Sequence, residues 1–289
     1  MSDKVLRFIV PEDIETIKAR TFLRKYCNVS ARMIARLKRE KDGILREGKI
    51  LRTIDTLKGG EVVELRLPED TNSVVAVEGD LNILFEDDHI IIFDKPAGTP
   101  VHPTKVHQLN TLANFLSYRQ QQTGENYTFR AINRLDKDTS GIVVVAKDKY
   151  TAKALFDSIG KIYYAVCEGI IDSAGTIDKP IRLLEGHTIQ RTTADDGARS
   201  VTHYKPLKIV NNHTLLEVTL ETGHTHQIRC HFSSIGHSLA GDDMYGGSRE
   251  YITRQALHCG SVTFTHLITK EEITIVSELP EDIKRLIEE

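Results

Sequence analysis

Two stretches of this 289-residue chain hold side chains able to do chemistry. The first is Ala131-Ile132-Asn133-Arg134-Leu135-Asp136-Lys137-Asp138-Thr139-Ser140-Gly141, which runs straight into the apolar Ile142-Val143-Val144-Val145-Ala146. An apolar strand is a rigid support, Ser140-Gly141 permits a tight backbone entry, and Asp136 becomes a carboxylate held on a loop at a sheet edge. A carboxylate so placed is either a reacting group or half of a surface ion pair with Arg134, worth about 0–1 kcal/mol. The second stretch is Thr222-Gly223-His224-Thr225-His226-Gln227-Ile228-Arg229-Cys230-His231, followed by Gly236-His237 and Gly241-Asp242-Asp243-Met244-Tyr245-Gly246. Its polar density exceeds what a structural turn needs. His224, His226 and His231 raise the question of a metal, but H-E-x-x-H is absent, as is H-x-E with P-C-x-x-C, so no metal site is expected. Neither G-x-x-x-x-G-K-[ST] nor a strand-linked G-x-G-x-x-G occurs, and G-x-S-x-G is missing, so nucleotide cofactors and a serine-hydrolase elbow are not expected. Asp87, Asp88, Asp242 and Asp243 read as turn formers.

The elements that must position these groups follow from periodicity. Strands are predicted at 81–85, 89–93, 141–146, 162–167, 201–205, 215–221 and 273–276. Leu216, Val218 and Leu220 alternate with Glu217, Thr219 and Glu221, the period-two pattern of a sheet with one wet face. Helices are predicted at 111–120 and 149–158, and after Pro280, where two acids suit a helix start and Ile283, Leu286 and Ile287 form an apolar face. The mixture indicates an α+β protein with a mainly antiparallel mixed sheet.

Charge divides the chain unevenly. The net charge is −3, yet residues 18–58 hold thirteen Lys and Arg against four acids, a local +9, leaving −12 for the remainder. A basic unit on an acidic body is either a grip for a polyanion or a solvated helix face. Within it, Ser30 is placed to cap a helix from Ala31 with Met33, Ile34 and Leu37 as its apolar stripe, and Arg32, Arg36 and Arg39 fall on one face. A strand is predicted at 61–67, and Pro68 breaks the pattern into a linker. Hydrophobic residues are 40% and charged residues 27%, no apolar run approaches the roughly 18 residues of a membrane span, and Met1–Val10 carries no signal-peptide core, so a cytoplasmic protein is expected. Four well-separated cysteines without C-x-x-C read as reduced, buried thiols.

Arg134-Leu135-Asp136 with Thr139-Ser140-Gly141 resembles the signature motif of the RluA family of RNA pseudouridine synthases. Further matches follow in the family's order: Glu86-Asp87-Asp88 with Lys95-Pro96-Ala97-Gly98 and His102-Pro103; Lys161-Ile162-Tyr163-Tyr164-Ala165-Val166; Thr222 to His231; and Arg254-Gln255-Ala256-Leu257-His258. Residues 15–67 resemble, more weakly, the alpha-L RNA-binding domain that often precedes this catalytic domain. The resemblance implies an alpha-L-like RNA-binding domain over 1–70, a linker over 71–80 and a pseudouridine synthase domain over 81–289. It also implies a cofactor-free isomerisation of uridine in structured RNA, with base flipping. By the same resemblance Asp136 is the catalytic carboxylate, acting by attack at the sugar or through a glycal. Arg229 pairs with it, Tyr163 offers a ring and a hydroxyl to the uracil, Leu257 walls the pocket, and Arg134 contacts the displaced nucleotide or its backbone. The basic residues Arg24, Lys25, Arg32, Arg36, Lys38 and Arg39 are the expected RNA grip. Ribosomal RNA is the first candidate partner and transfer RNA the second, with no membrane, no obligate protein partner and a monomeric chain. Asn133 stands where many members have His, and His224 replaces the Arg of T-G-R-T-H, which bears on loop or RNA-backbone contacts. Two rivals remain from the residues alone: an RNA-binding module without catalysis, and a glycoside hydrolase, which would need a second acid across the pocket.

Overall fold

The computed structural model describes residues 5–67, 73–104, 106–156, 158–267 and 269–288. These form two compact units, divided after residue 72, with Asn126–Thr128 grouping with the first. Of the expected linker, residues 71 and 72 lie outside the described residues. The remainder is not a free tether: Asn114 Nδ2 donates to Val75 O (2.8 Å), Ser117 Oγ to Val74 O (2.8 Å) and Val77 N to Asn114 O (3.2 Å). The residues after the break therefore strap onto a helix of the second unit.

In the first unit the order is β1 (Val5–Ile9), β2 (Ile17–Lys18), α1 (Ala19–Lys25), α2 (Ala31–Leu37), β3 (Ile44–Arg46), β4 (Lys49–Ile50), β5 (Thr56–Leu57) and β6 (Val62–Arg66). A sheet of order β1-β6-β3-β4 and a β2–β5 pair result. Ser30 caps α2 as its spacing predicts, accepting from Met33 N at 3.1 Å, and Ile34 and Leu37 are buried. The expectation for Arg39 is corrected. The helix stops at Leu37 with Lys38 as its C-cap, because residues 38–42 offer no apolar side chain to continue the stripe. The chain then turns so closely that a β-carbon on Gly43 would lie 2.1 Å from Leu37 O. Only Arg32 and Arg36 share the helical face; Arg39 lies in the turn beyond it.

The second unit runs β7 (Ile83–Glu86), β8 (Ile90–Lys95), α3 (Leu112–Thr123), β9 (Ser140–Ala146), α4 (Lys149–Phe156), β10 (Gly160–Glu168), β11 (Gly175–Asp178), β12 (Ile181–Leu183), β13 (Arg191–Thr193), β14 (Val201–Val210), β15 (His213–Leu220), α5 (Gln227–Ser234), β16 (Leu257–Thr265), β17 (Glu272–Val276) and α6 (Glu281–Lys284). Among the described residues the main sheet has the order β11-β14-β15-β10-β16-β9-β8-β7, with β17 added on β16. Every pairing is antiparallel except β16 with β9, which agrees with a mainly antiparallel mixed sheet. All seven residues of β9 are buried, as an uninterrupted apolar run demands of a strand covered on both faces. The four cysteines are buried thiols that form no disulfide among the described residues.

Two elements that the periodicity does not announce lie at the centre. β16 reads Leu-His-Cys-Gly-Ser-Val-Thr-Phe-Thr, a sequence without clean alternation. It is nonetheless an interior strand, and Gly260 is required there because a β-carbon would meet the Tyr164 ring at 2.4 Å. Helix α5 buries Gln227 through Phe232 on every side, so no amphipathic stripe marks it. The C-terminal helix is shorter than a full apolar face implies: α6 is one turn, followed by a 3-10 turn at Arg285–Ile287. Ile283 and Leu286 still pack against Val166, Leu215 and Ile252.

Candidate active site

The loop bearing Asp136 is fixed at both ends by backbone requirements. Gly141 has φ +109°, and a β-carbon there would sit 2.3 Å from Cys259 O, so only glycine lets β9 and β16 start side by side. Their parallel register pairs Ser140 with His258 and Gly141 with Cys259. At the other end Asn133 is buried; its Nδ2 donates to Ile142 O (2.8 Å) and its Oδ1 accepts from Val144 N (2.9 Å). The amide thus serves as an extra rung beside β9. The departure at this position thus supplies support to the loop. Asn133→Ala leaves both backbone groups unpaired and is expected to destabilise the protein by about 2–4 kcal/mol in urea denaturation. A change under about 0.5 kcal/mol would show that the amide is not a structural rung.

The Lys95-Pro96-Ala97-Gly98 segment clamps the same loop. Lys95 is fully buried, and its Nζ donates to Pro96 O (2.9 Å) and Lys137 O (3.0 Å), while Gly98 N also donates to Lys137 O (3.0 Å). Burial lowers this ammonium to about 7 against the opposing charges of Asp138 and Asp136.

Arg229 comes to Asp136 from α5. The turn before this helix is held by Gln227, whose Oε1 accepts from Thr222 Oγ1 (2.9 Å) and His224 N (3.1 Å), and whose Nε2 donates to Val201 O (3.0 Å). From α5 the guanidinium donates to Asp136 Oδ2 at 3.2 Å. It also forms a two-point pair with Asp242, Nε to Oδ2 at 2.6 Å and Nη2 to Oδ1 at 2.7 Å. Its carbon lies 5.1 Å from the centroid of the Tyr245 ring. Burial opposes the charge of Arg229, but the hydrogen bonds and charge of Asp242, and then those of Asp136, overcome it and hold the proton more firmly than usual.

The expectation that Asp242 only shapes a turn is therefore corrected. Its side chain is 0% exposed and both oxygens are committed to Arg229. A guanidinium this deep cannot rest on a partly exposed carboxylate alone and needs a buried counter-charge. That requirement becomes visible only once Arg229 is seen to be buried, and the polar 241–246 segment does not by itself single out Asp242. Asp87 does shape its turn, accepting from His89 N (2.7 Å) and Ile90 N (2.8 Å).

Tyr163 is aimed by a register shift. Ile162 pairs with Ser261 and Tyr163 with Cys259, so Gly260 is the extra residue of a bulge, a device that redirects a side chain beside a site. Burial, then the charges of Cys259 and Asp136, push the Tyr163 phenol well above its usual range. Leu257, the first residue of β16, is buried, and Arg134 is exposed.

One cleft, enclosing about 520 Å³ open to solvent, is lined by Arg134, Asp136, Tyr163, Arg229 and Leu257 together with His224, His226 and Leu220. The three histidines diverge: His224 Nε2 meets Arg199 O (3.0 Å), His231 meets Thr202 Oγ1 (2.8 Å) and Lys179 O (2.9 Å), and His226 turns to Tyr245 and Asp136. Asp136 has one oxygen held by a cation, while Oδ1 has no hydrogen-bond partner among the described residues. Such a carboxylate can act as a nucleophile or stabilise a developing cation. The nearby carboxylate of Asp242 is fully engaged, so it cannot act as the second acid of a glycoside hydrolase.

The expected RNA grip lies in the first unit. Arg24, Lys25, Arg32, Arg36, Lys38 and Arg39 are all exposed. Among the described residues none of the six forms a salt bridge, whereas Arg7, Arg46, Arg52 and Arg66 are paired with acids.

Residues 89–234 match the family described as RNA pseudouridylate synthase. A protein of Bacillus subtilis (strain 168) named uncharacterized RNA pseudouridine synthase YhcT is 40% identical over 240 residues, covering 80% of this chain and 79% of that protein. A protein of Pseudomonas aeruginosa named ribosomal large subunit pseudouridine synthase D is 38% identical over 272 residues, covering 86% and 84%. The solved structure of human RNA pseudouridylate synthase domain containing 4 superposes with a TM-score of 0.57 at 25% identity, covering 70% of this chain and 90% of that one.

Proposed function

Because this chain belongs to the RNA pseudouridylate synthase family, and is by that membership an isomerase of uridine in RNA, we propose that Asp136 is the carboxylate that loosens the N1–C1′ bond. The observation that carries this reading is the carboxylate itself, with Oδ2 tied to Arg229 and Oδ1 at the cleft without a partner among the described residues. Isomerisation breaks N1–C1′, joins C5 to C1′, releases the C5 proton and returns a proton to N1. No redox equivalent or energy source enters that balance. Asp136 acts either by attack at the sugar or by assisting a glycal, and Arg229 keeps it aimed in both routes.

The uridine must leave its stack to reach a carboxylate held within the cleft, at a cost of a few kcal/mol. Tyr163 and Leu257 supply the apolar walls that receive the base, and Arg134 at the exposed rim meets the displaced nucleotide or its backbone.

We read residues 1–70 as an alpha-L-like RNA-binding domain whose unpaired cations follow phosphates. Arg32→Gln/Arg36→Gln/Arg39→Gln is expected to flatten the slope of log affinity against log salt by about 2–3, near 0.7–0.9 per lost phosphate contact. Catalysis at saturating RNA stays within about twofold, because these side chains position RNA and perform no chemistry. Filter binding over a salt series measures this, and an unchanged slope would remove the grip from the first unit.

Ribosomal RNA is the substrate class we favour, on the names of relatives such as the Pseudomonas aeruginosa protein. We further propose a monomer acting in the cytoplasm; among the described residues no helix is long and apolar enough to cross a membrane. Pseudouridine maps of total RNA from cells with and without this gene test the substrate. The expected result is loss of one or a few ribosomal RNA sites, and loss confined to transfer RNA would contradict it.

A further inference from the structure

His226 sits where its side chain can act on Asp136, and its surroundings fix which nitrogen carries the proton. Its backbone is left-handed, φ 58°, at the N-cap of α5, yet its side chain makes no capping bond to that helix. A left-handed non-glycine residue held at a cleft is the kind of strain kept where a side chain must be aimed. The ring turns to Tyr245, edge-on at 5.7 Å between centroids, with Nδ1 3.1 Å from the hydroxyl. That hydroxyl oxygen already accepts from Arg191 N at 2.8 Å, so its one hydrogen is free to be donated to Nδ1. An accepting Nδ1 places the ring proton on Nε2. Nε2 lies 3.6 Å from Asp136 Oδ2, the same oxygen that Arg229 holds.

We propose that neutral His226, its tautomer set by Tyr245, is a positioning residue that closes an Nε2–H hydrogen bond onto Asp136 Oδ2 when substrate enters, leaving Oδ1 to react. This rests on Asp136 being the reacting carboxylate. The distance of 3.6 Å is beyond a formed hydrogen bond, and contacts of this type tighten in the substrate complex. The charged groups facing the ring are Asp136 from its loop, Arg229 from α5, Asp242 from the 241–246 segment and Arg191 from β13. Burial lowers the imidazole, Asp136 opposes that, and the two arginines act with burial, so the neutral form is favoured.

Long-range proton–nitrogen NMR of the full chain labelled with nitrogen-15 histidine reads the tautomer, with the His226 signals identified by their absence in His226→Asn. The expected spectrum at pH 8 is the neutral Nε2–H form; an Nδ1–H form or an imidazolium at that pH would overturn the proposal. Kinetics with saturating RNA supply the second test. Asparagine tolerates the left-handed backbone but its amide reaches only the Nδ1 position, whereas glutamine places an N–H near Nε2. His226→Asn is expected to lower kcat about ten- to a hundredfold with RNA affinity unchanged, the scale of one hydrogen bond to a charged group. His226→Gln restores most of that loss. A wild-type kcat in His226→Asn, or equal losses in two variants that unfold at the wild-type midpoint, would overturn it. Activity in Asp136→Asn would instead remove the premise, and that variant is measured alongside.

Discussion

Replacing Asp136 by Asn is expected to lower the single-turnover rate of pseudouridine formation on the order of 10⁴-fold or more, the scale on which loss of a nucleophile acts. The side chain keeps its shape and loses the charge and electron pair that either route requires. Arg229 would remain bonded at two points to Asp242, so the cleft stays assembled and RNA affinity stays within about twofold. A variant that bound RNA normally and turned over at a tenth of the wild-type rate would place the chemistry on another group. A variant that lost RNA binding as well would show that the carboxylate supports the cleft rather than the reaction.

The second large effect belongs to Arg229. Arg229→Met removes the cation bridging a partly exposed carboxylate and a fully buried one. Leaving Asp242 buried without its partner is expected to destabilise the protein by about 3–5 kcal/mol, read as a fall in the urea midpoint at constant slope. Activity is lost too, because the guanidinium bonded to Asp136 is gone. The double variant Arg229→Met/Asp242→Leu separates the two roles. Replacing a buried ion pair by apolar groups of similar volume is often neutral, so stability should return to within about 1–2 kcal/mol of wild type while activity does not. A single variant within about 1 kcal/mol of wild type would mean that the pair contributes little, and recovered activity in the double variant would sever Arg229 from the mechanism.

What the chain reveals before folding depends on whether a local pattern survives its tertiary setting. The run from Ile142 to Ala146 is apolar because both faces of β9 are covered, and Ser30 caps α2 through its own backbone neighbours, so both are visible. The α+β class follows from such elements. β16 is hidden because Gly260 is demanded by the Tyr164 ring above it, a contact from another strand. α5 is hidden because a helix buried all round has no stripe. The loop of Asp136 is readable from the turn residues beside an apolar run, and the cleft gathers Arg134, Tyr163, Arg229 and Leu257 around it. Asp242 and His226 are not readable in that way. Asp242 looks like every other turn aspartate until Arg229 is seen to be buried. His226 gains its meaning only from Tyr245 and Arg191, which fold to it from elsewhere. Arg39 marks the opposite error, a spacing that fits a helix which ends two residues earlier.

Release of tritium to water from ribosomal RNA labelled at C5 of uridine measures the proposed reaction at the atom that must lose its hydrogen. Wild-type protein should release tritium in step with new pseudouridine, and Asp136→Asn, bound to the same RNA, should release none above background. Equal release by the two proteins, or none by the wild type on ribosomal RNA, would contradict the account.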